Sequence, residues 1–483
     1  MPRTVERGSP VEEPLLSSAP SPELPLEETI TQTRWNAIYI SALVYGLCMT
    51  LNTTMTVTNF LYLKNDLGSN VTAQFYGSVT VNAKIAHGLG TAMFALQCYV
   101  WQSYRNPLLL GRIIAFSACV LYLFIHAFPI EQRSAVFLIH FCIQGFAGGA
   151  VIVERSFVPR MATISDFSRA YGMDNAAEMS AIVIGPMVAM AAMQFPSIEL
   201  LPWLRLSSYT LPIWITLAGN AFTIALISRK FVDPPKEIQT SSVSKAAESF
   251  VQSVKKSNKM LLFICIFAKI VASFLFQSVL GIYQPYAFST FDVDRNSVQL
   301  VVAAGQFLSG ILCVCTSLVF FFGNIRMRSS NIFMTALVLF SALLAFSNPS
   351  ILPQSMTTLI SQSGTGNGTG CSIVEYEWCS DTRVVNFRIW LPVVTVLFGI
   401  AVPMTHIGFD TLYAKVLRGT EQNLMQGVMM VFDDVFLAFL PFLLTTFFEQ
   451  RGPETYFQLM ASIAVAMTAC WFFICIYLRR HSL

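Results

Sequence analysis

Apolar residues along this chain gather into runs of about 20, separated by short polar segments. A helical run of that length crosses roughly 30 Å of hydrocarbon. In lipid the helix is also the form that satisfies every backbone N–H and C=O within its own segment. The pattern predicts twelve transmembrane helices. The first six lie near 36–60, 74–101, 108–127, 135–157, 176–195 and 210–228. The second six lie near 260–282, 297–322, 331–348, 386–414, 428–448 and 457–478. The first run follows a polar stretch of more than 30 residues, so it reads as a span and not as a cleaved signal peptide.

The spacing of these runs divides the chain. A polar tail, 1–34, is rich in Pro, Ser and Glu, lacks an apolar period and is expected to be disordered. Six spans occupy 35–228, a basic linker 229–259, and six more spans 260–478, with a long loop at 349–385 inside the second half. Six spans, a basic linker and six more spans resemble the plan of the major facilitator superfamily, which implies a parallel internal repeat with a substrate site between the halves near the midplane. Local traces of that repeat exist. Asp166 to Gly172 follows span four, and Glu421 to Gly427 follows span ten; each places an acid six residues before a glycine. Short basic loops join spans two and three, at Trp101 to Pro107, and spans eight and nine, at Gly323 to Ser330 with Arg326 and Arg328.

Composition agrees with the pattern. Only 12% of residues are charged, against about 25% in a soluble domain, which excludes a soluble enzyme. With the N-terminus in the cytosol, about 21 Lys and Arg fall on the cytosolic side and about seven on the other. That bias matches the positive-inside rule and supports twelve spans, with both termini cytosolic. The net charge of +3 is explained as topology and calls for no nucleic-acid partner.

The opposite side reads as oxidising and glycosylating. The loop at 349–385 contains the acceptor sequon Asn367-Gly368-Thr369, and the first loop on that side contains Asn70-Val71-Thr72. Asn52-Thr53-Thr54 also matches but lies within span one. Cys371 and Cys379 could close a small disulfide loop in a lumen. The other nine cysteines read mostly as packing residues, and no Cys or His cluster has metal-site spacing. No phosphate-cradling loop, GxSxG or HExxH is present, so no enzyme, metal or cofactor is expected and transport would run on gradients. In the tail, Glu12-Glu13-Pro14-Leu15-Leu16 resembles an endolysosomal sorting signal read by adaptors through Leu15 and Leu16, although Val11 stands where the usual acid would be.

Ionisable residues inside spans are costly and are functional candidates by default. Lys84 and His87 share a face of span two. Lys269 lies in span seven, and His406 and Asp410 share a face of span ten. Asp433 and Asp434 are adjacent in span eleven, about 100° apart, so they cannot both face one cavity squarely. One reading is a cavity where Lys84, His87 and Lys269 attract an anion while an aspartate balances charge or carries a proton. The other is a set of structural ion pairs. Arg105, Glu154, Arg155, Asp166, Glu178, Arg326 and Glu421 sit near expected cytosolic ends and read as a gate or a fold-stabilising network.

The plan and its loops resemble the major facilitator superfamily over about 35–478, which implies its twelve-helix fold. Gly185-Pro186 in span five resembles that superfamily's glycine–proline motif, and Gln144 to Gly149 its glycine-rich motif in span four. Phe141 stands where an arginine is usual, and Ser103 where an aspartate is usual, which argues against an ordinary proton antiporter. A closer resemblance is to the lysosomal subfamily linked to neuronal ceroid lipofuscinosis type seven. It rests on Glu13 to Leu16, Arg34-Trp35, Trp101 to Arg105, Arg155-Ser156 and the loop at Asn367. It implies an endolysosomal multi-pass protein with chloride permeation. A proton-coupled carrier of another metabolite, an anion channel on the same fold and a non-transporting scaffold remain the competing readings.

Overall fold

The computed structural model describes residues 32–56, 73–196, 198–201, 204–234, 243–290, 295–323, 325, 327–359, 377–380, 382–417 and 422–480. Leu15, Leu16, Asn70, Arg326, Asn367, Cys371 and Glu421 lie outside the described residues. The fold is all-helical apart from two short hairpins, and its twelve spans follow the expected order. Spans one to three are Trp35–Thr56, Ala73–Trp101 and Arg105–Leu123. Span four is Ile130–Gly148 continued by Val151–Met161. Spans five and six are Phe167–Met193 and Leu211–Lys230. Spans seven to ten are Lys259–Thr290, Arg295–Phe322, Ser329–Phe346 and Phe387–Val416. Spans eleven and twelve run through Gln422–Arg480 and are divided at Gly452, whose φ of 77° only glycine adopts readily.

Nine described helices are long and apolar enough to cross a membrane, the last of them twice. Spans two and five fall outside that set. They carry Asn82, Lys84 and His87 in one case, and Arg169, Asp174, Asn175 and Glu178 in the other.

The linker between the halves lies at one end of the bundle, here called the linker side. The other end carries two antiparallel hairpins, Ile198–Leu201 with Leu204–Leu206 and Thr357–Leu359 with Arg383–Val385. The linker also contains a helix, Val243–Lys256, that hydropathy alone did not reveal. Its apolar positions recur at helical spacing, and Phe250 and Val254 pack against the second half. From the same helix, Ser249 Oγ meets Tyr99 OH of span two at 2.7 Å. The linker helix therefore touches both halves.

Glycines set the closest approaches. A Cβ at Gly90 would lie 2.1 Å from Phe146 O, and one at Gly145 would lie 2.3 Å from Ala83 O. Spans two and four are thus pressed together backbone to backbone, which explains the glycine-rich run in span four. A Cβ at Gly185 would lie 2.1 Å from Thr53 Oγ1, so the glycine of the glycine–proline pair seats span five on span one. Gly90→Ala is expected to lower the thermal midpoint and the monodisperse fraction on size exclusion, because backbone must shift. Gly281→Ala should leave both unchanged, since its nearest neighbour is Gln277 Oε1 at 3.7 Å.

Spans five and eleven begin several residues earlier than hydropathy suggests, at Phe167 and Gln422. Within the repeated acid-to-glycine segments, Phe167–Gly172 and Gln422–Gly427 are therefore helical. Their glycines share a role. A Cβ at Gly172 of the first half would meet Phe320 Cβ of the second at 3.2 Å. A Cβ at Gly427 of the second half would meet Ala95 Cβ of the first at 2.6 Å. The repeat thus marks two points where the halves touch.

Candidate functional site

Span seven places Lys269 roughly 15 Å from its linker-side end, about halfway through the hydrocarbon. Its Nζ lies 3.0 Å from Asp433 Oδ2 of span eleven. Ser273 Oγ donates to the other oxygen of the same carboxylate. Asp434, the next residue, turns away and meets His87 Nδ1 at 2.7 Å. Adjacent helix positions must take different partners, and these do. The His87–Asp434 pair joins span two to span eleven, so it crosses between the halves.

A second cluster surrounds Arg155 of span four. Its Nη2 lies 3.4 Å from Glu178 Oε2 of span five, and its Nη1 lies 3.9 Å from Asp410 Oδ1 of span ten. Nη2 also donates to Tyr45 OH at 3.4 Å. His406 Nδ1 of span ten is 4.0 Å from Glu178 Oε2. The planar guanidinium therefore bridges a carboxylate of its own half and one of the other, a geometry that suits arginine better than lysine. Lys269 Nζ stands 5.5 Å over the Phe409 ring, a cation–π contact.

The two clusters share a small cavity lined by Arg155, Tyr171, Lys269, Phe409, Asp410 and Gln426 among others. In this conformation it admits little more than a water molecule or a small ion. Four carboxylates, Glu178, Asp410, Asp433 and Asp434, face two fixed cations, Arg155 and Lys269. His87 and His406 are the remaining partners. Uncompensated charge is costly in a low dielectric. The charge of the cluster is therefore tied to how many protons its histidines and carboxyls hold.

Several sequence expectations change here. Arg155 and Glu178 lie in the central cluster and not at the linker-side ends of their spans, because span four runs on to Met161 and span five starts back at Phe167. Arg155 and the buried Arg112 of span three also drop out of the cytosolic charge count. Glu154, next to Arg155, faces the interior of its own half and is 1% exposed. Lys84 does not line the central cavity, and among the described residues it forms no ion pair. It sits one turn from His87 toward the hairpin side. Arg105 and Asp166 tie elements within the first half. Arg105 donates through Nη2 to Ser228 O and through its amide to Asp233 Oδ1 at 2.8 Å. Asp166 accepts from Thr33 Oγ1, and from Thr163 Oγ1 at 3.0 Å.

The residues that close the linker side across the halves were missed. Tyr104 OH donates to Asn423 Oδ1 at 2.8 Å. Arg169 Nε donates to Phe321 O at 2.9 Å, and its guanidinium lies 4.4 Å over Trp35. Ser317 Oγ donates to Asn175 Oδ1 at 2.9 Å. Tyr104 lies in the short basic loop between spans two and three and Arg169 in the first acid-to-glycine segment, both marked by the sequence pattern, which carries no sign of the partner. The aspartate absent at Ser103 is supplied from elsewhere. Asp233, just after span six, accepts from Ser103 Oγ at 2.7 Å and from Tyr104 N at 2.7 Å.

Cys379 is disulfide-bonded, and nine other cysteines are free. The described residues contain no group of three or more His, Cys, Asp or Glu side chains that could hold a metal ion.

Comparison with known proteins gives this geometry a lineage. The chain is 23% identical to the Xenopus laevis major facilitator superfamily domain-containing protein 8 over 449 residues, covering 86% of each. The human organic anion transporter MFSD10 superposes with a TM-score of 0.62 at 14% identity, covering 90% of this chain and 98% of that one. The proton:xylose symporter XylE superposes with a TM-score of 0.61 at 12% identity, covering 90% and 94%. A family model described as Major Facilitator Superfamily matches residues 42–375. This twelve-span membrane protein belongs to the major facilitator superfamily, and its fold is that of the family's transporters.

Proposed function

We propose that the chain is a gradient-driven carrier of a small anion, chloride or an organic anion, in the endolysosomal membrane. One observation carries the reading: Arg155 and Lys269, fixed cations from opposite halves, line the same central cavity. An anion entering it competes with Asp410 and Asp433 for these cations. The cross-half pairs made by His87 and His406 favour a role for protons in that exchange. Contacts through Tyr104, Arg169 and Asn175 bar the path on the linker side, which favours alternating access over a continuous pore.

Uptake of labelled chloride and of small carboxylates into proteoliposomes tests the reading. Saturable uptake that a pH gradient accelerates is expected. Large non-saturating currents would identify a channel, and absence of any flux would favour a scaffold.

The endolysosomal part rests on the tail and the loops. Replacing Leu15 and Leu16 together with alanine should move much of the protein to the cell surface, scored by surface biotinylation. Asn367→Gln and Asn70→Gln should each remove one glycosidase-sensitive step in gel mobility. A bridge between Cys371 and Cys379 should make both thiols inaccessible to maleimide until reduction.

A further inference from the structure

The first half hides two carboxyl groups that the central cluster leaves unused. We propose that Glu154 and Asp174 together hold one proton, forming a buried proton-binding site that opens onto the Arg155–Glu178–Asp410 cluster.

The observations are these. Glu154 of span four is 1% exposed, and neither of its carboxyl oxygens has a hydrogen-bond partner. Asp174 of span five is 5% exposed, and its Oδ1 has none. Arg112 of span three is 4% exposed with Nε unpartnered, and it makes no ion pair with either acid. The charges acting on Glu154 are Asp174 and Arg112. Those acting on Asp174 are Arg155, Glu178 and Asp410. Cys48 and Tyr45 of span one also face this region.

Charge counting then decides the protonation. Arg155 is already shared between Glu178 and Asp410. That leaves Arg112, which acts on Glu154 and makes no ion pair with either acid, as the one uncommitted guanidinium beside two carboxyls sealed from water. A buried carboxylate without donors takes up a proton before it stays ionised. One proton for the pair restores neutrality. Glu154 is its resting holder, because both of its oxygens lack donors. Asp174 is the outlet, since Glu178 follows it by four residues on the same face of span five. In the transfer, an O–H bond of Glu154 breaks and an O–H bond of Asp174 forms. One positive charge moves with the proton and nothing else changes.

This deepens the transport reading by naming its coupling ion, and it can be tested apart from transport. Full-length protein in lipid nanodiscs is examined by infrared spectroscopy at neutral pH, in H2O and D2O. The wild type should show a deuterium-sensitive carbonyl stretch of a protonated carboxylic acid. Glu154→Gln should lose that band, and Asp410→Asn should keep it. If Glu154→Gln does not fold, Glu154→Asp keeps the acid and should shift the band. A band unchanged in the Glu154 variants, or absent from the wild type, overturns the proposal. A protein that moves no anion would still show the band, so failure of the transport reading is distinguishable from failure of this one.

Discussion

Arg155→Met should reduce anion uptake to background, and Arg155→Lys should recover only a small part of it. The difference follows from shape. Arg155 reaches Glu178, Asp410 and Tyr45 at once, from 3.4 to 3.9 Å, across two halves. A lysine ammonium is a single point and cannot span these partners. Its loss also leaves the Glu178 and Asp410 carboxylates without the cation they share, with His406 and Tyr45 still beside Glu178. Uptake per reconstituted molecule, at matched protein, is the measurement. Normal uptake by Arg155→Met would falsify its place in the pathway.

The second large effect concerns stability as well as transport. Lys269→Met strands Asp433 with Ser273 as its donor, and Asp433→Leu strands Lys269 beside Phe409. Breaking a buried pair from one side costs about 3–5 kcal/mol, whereas removing both charges is often close to neutral. Each single variant should therefore lower the thermal midpoint in detergent, and the double variant should regain most of it. Uptake should fail in Lys269→Met and in the double variant, because the anion loses its cation in both. A double variant that regains both stability and uptake would reduce Lys269 to a structural role.

The helices were legible because hydropathy is a local property. The count, the halves and the linker all come from run lengths. Depth was less legible. Polar first turns such as Asp166 to Tyr171 look like loop, so Glu178 was placed near a span end when it lies well inside a helix that starts at Phe167. Partners were not legible at all. Asp434 meets a histidine 347 positions away, and nothing local marks that pair. The adjacency of Asp433 and Asp434 did constrain them to different neighbours, and helix geometry alone gave that. Asp233 shows the converse. A motif that looked broken at Ser103 is completed by a residue 130 positions on, visible only in three dimensions. The linker helix had a readable amphipathic period in Phe250 and Val254 and was obscured by its lysines.

Spans two and five, the two weakly apolar crossings, have a consequence for biogenesis. On insertion scales a central Asp or Lys costs about 2.5–3.5 kcal/mol in an isolated helix. Span five carries Asp174 and Glu178, and span two carries Lys84. Neither is a strong insertion signal by itself when it leaves the ribosome. Span two can lean on span four, and span five on span one, through the glycine contacts at Gly90, Gly145 and Gly185. The same glycines that set the final packing thus help to retain these helices in the bilayer during synthesis. Substitutions there should lower the yield of correctly inserted chain as well as the stability of the carrier that does assemble.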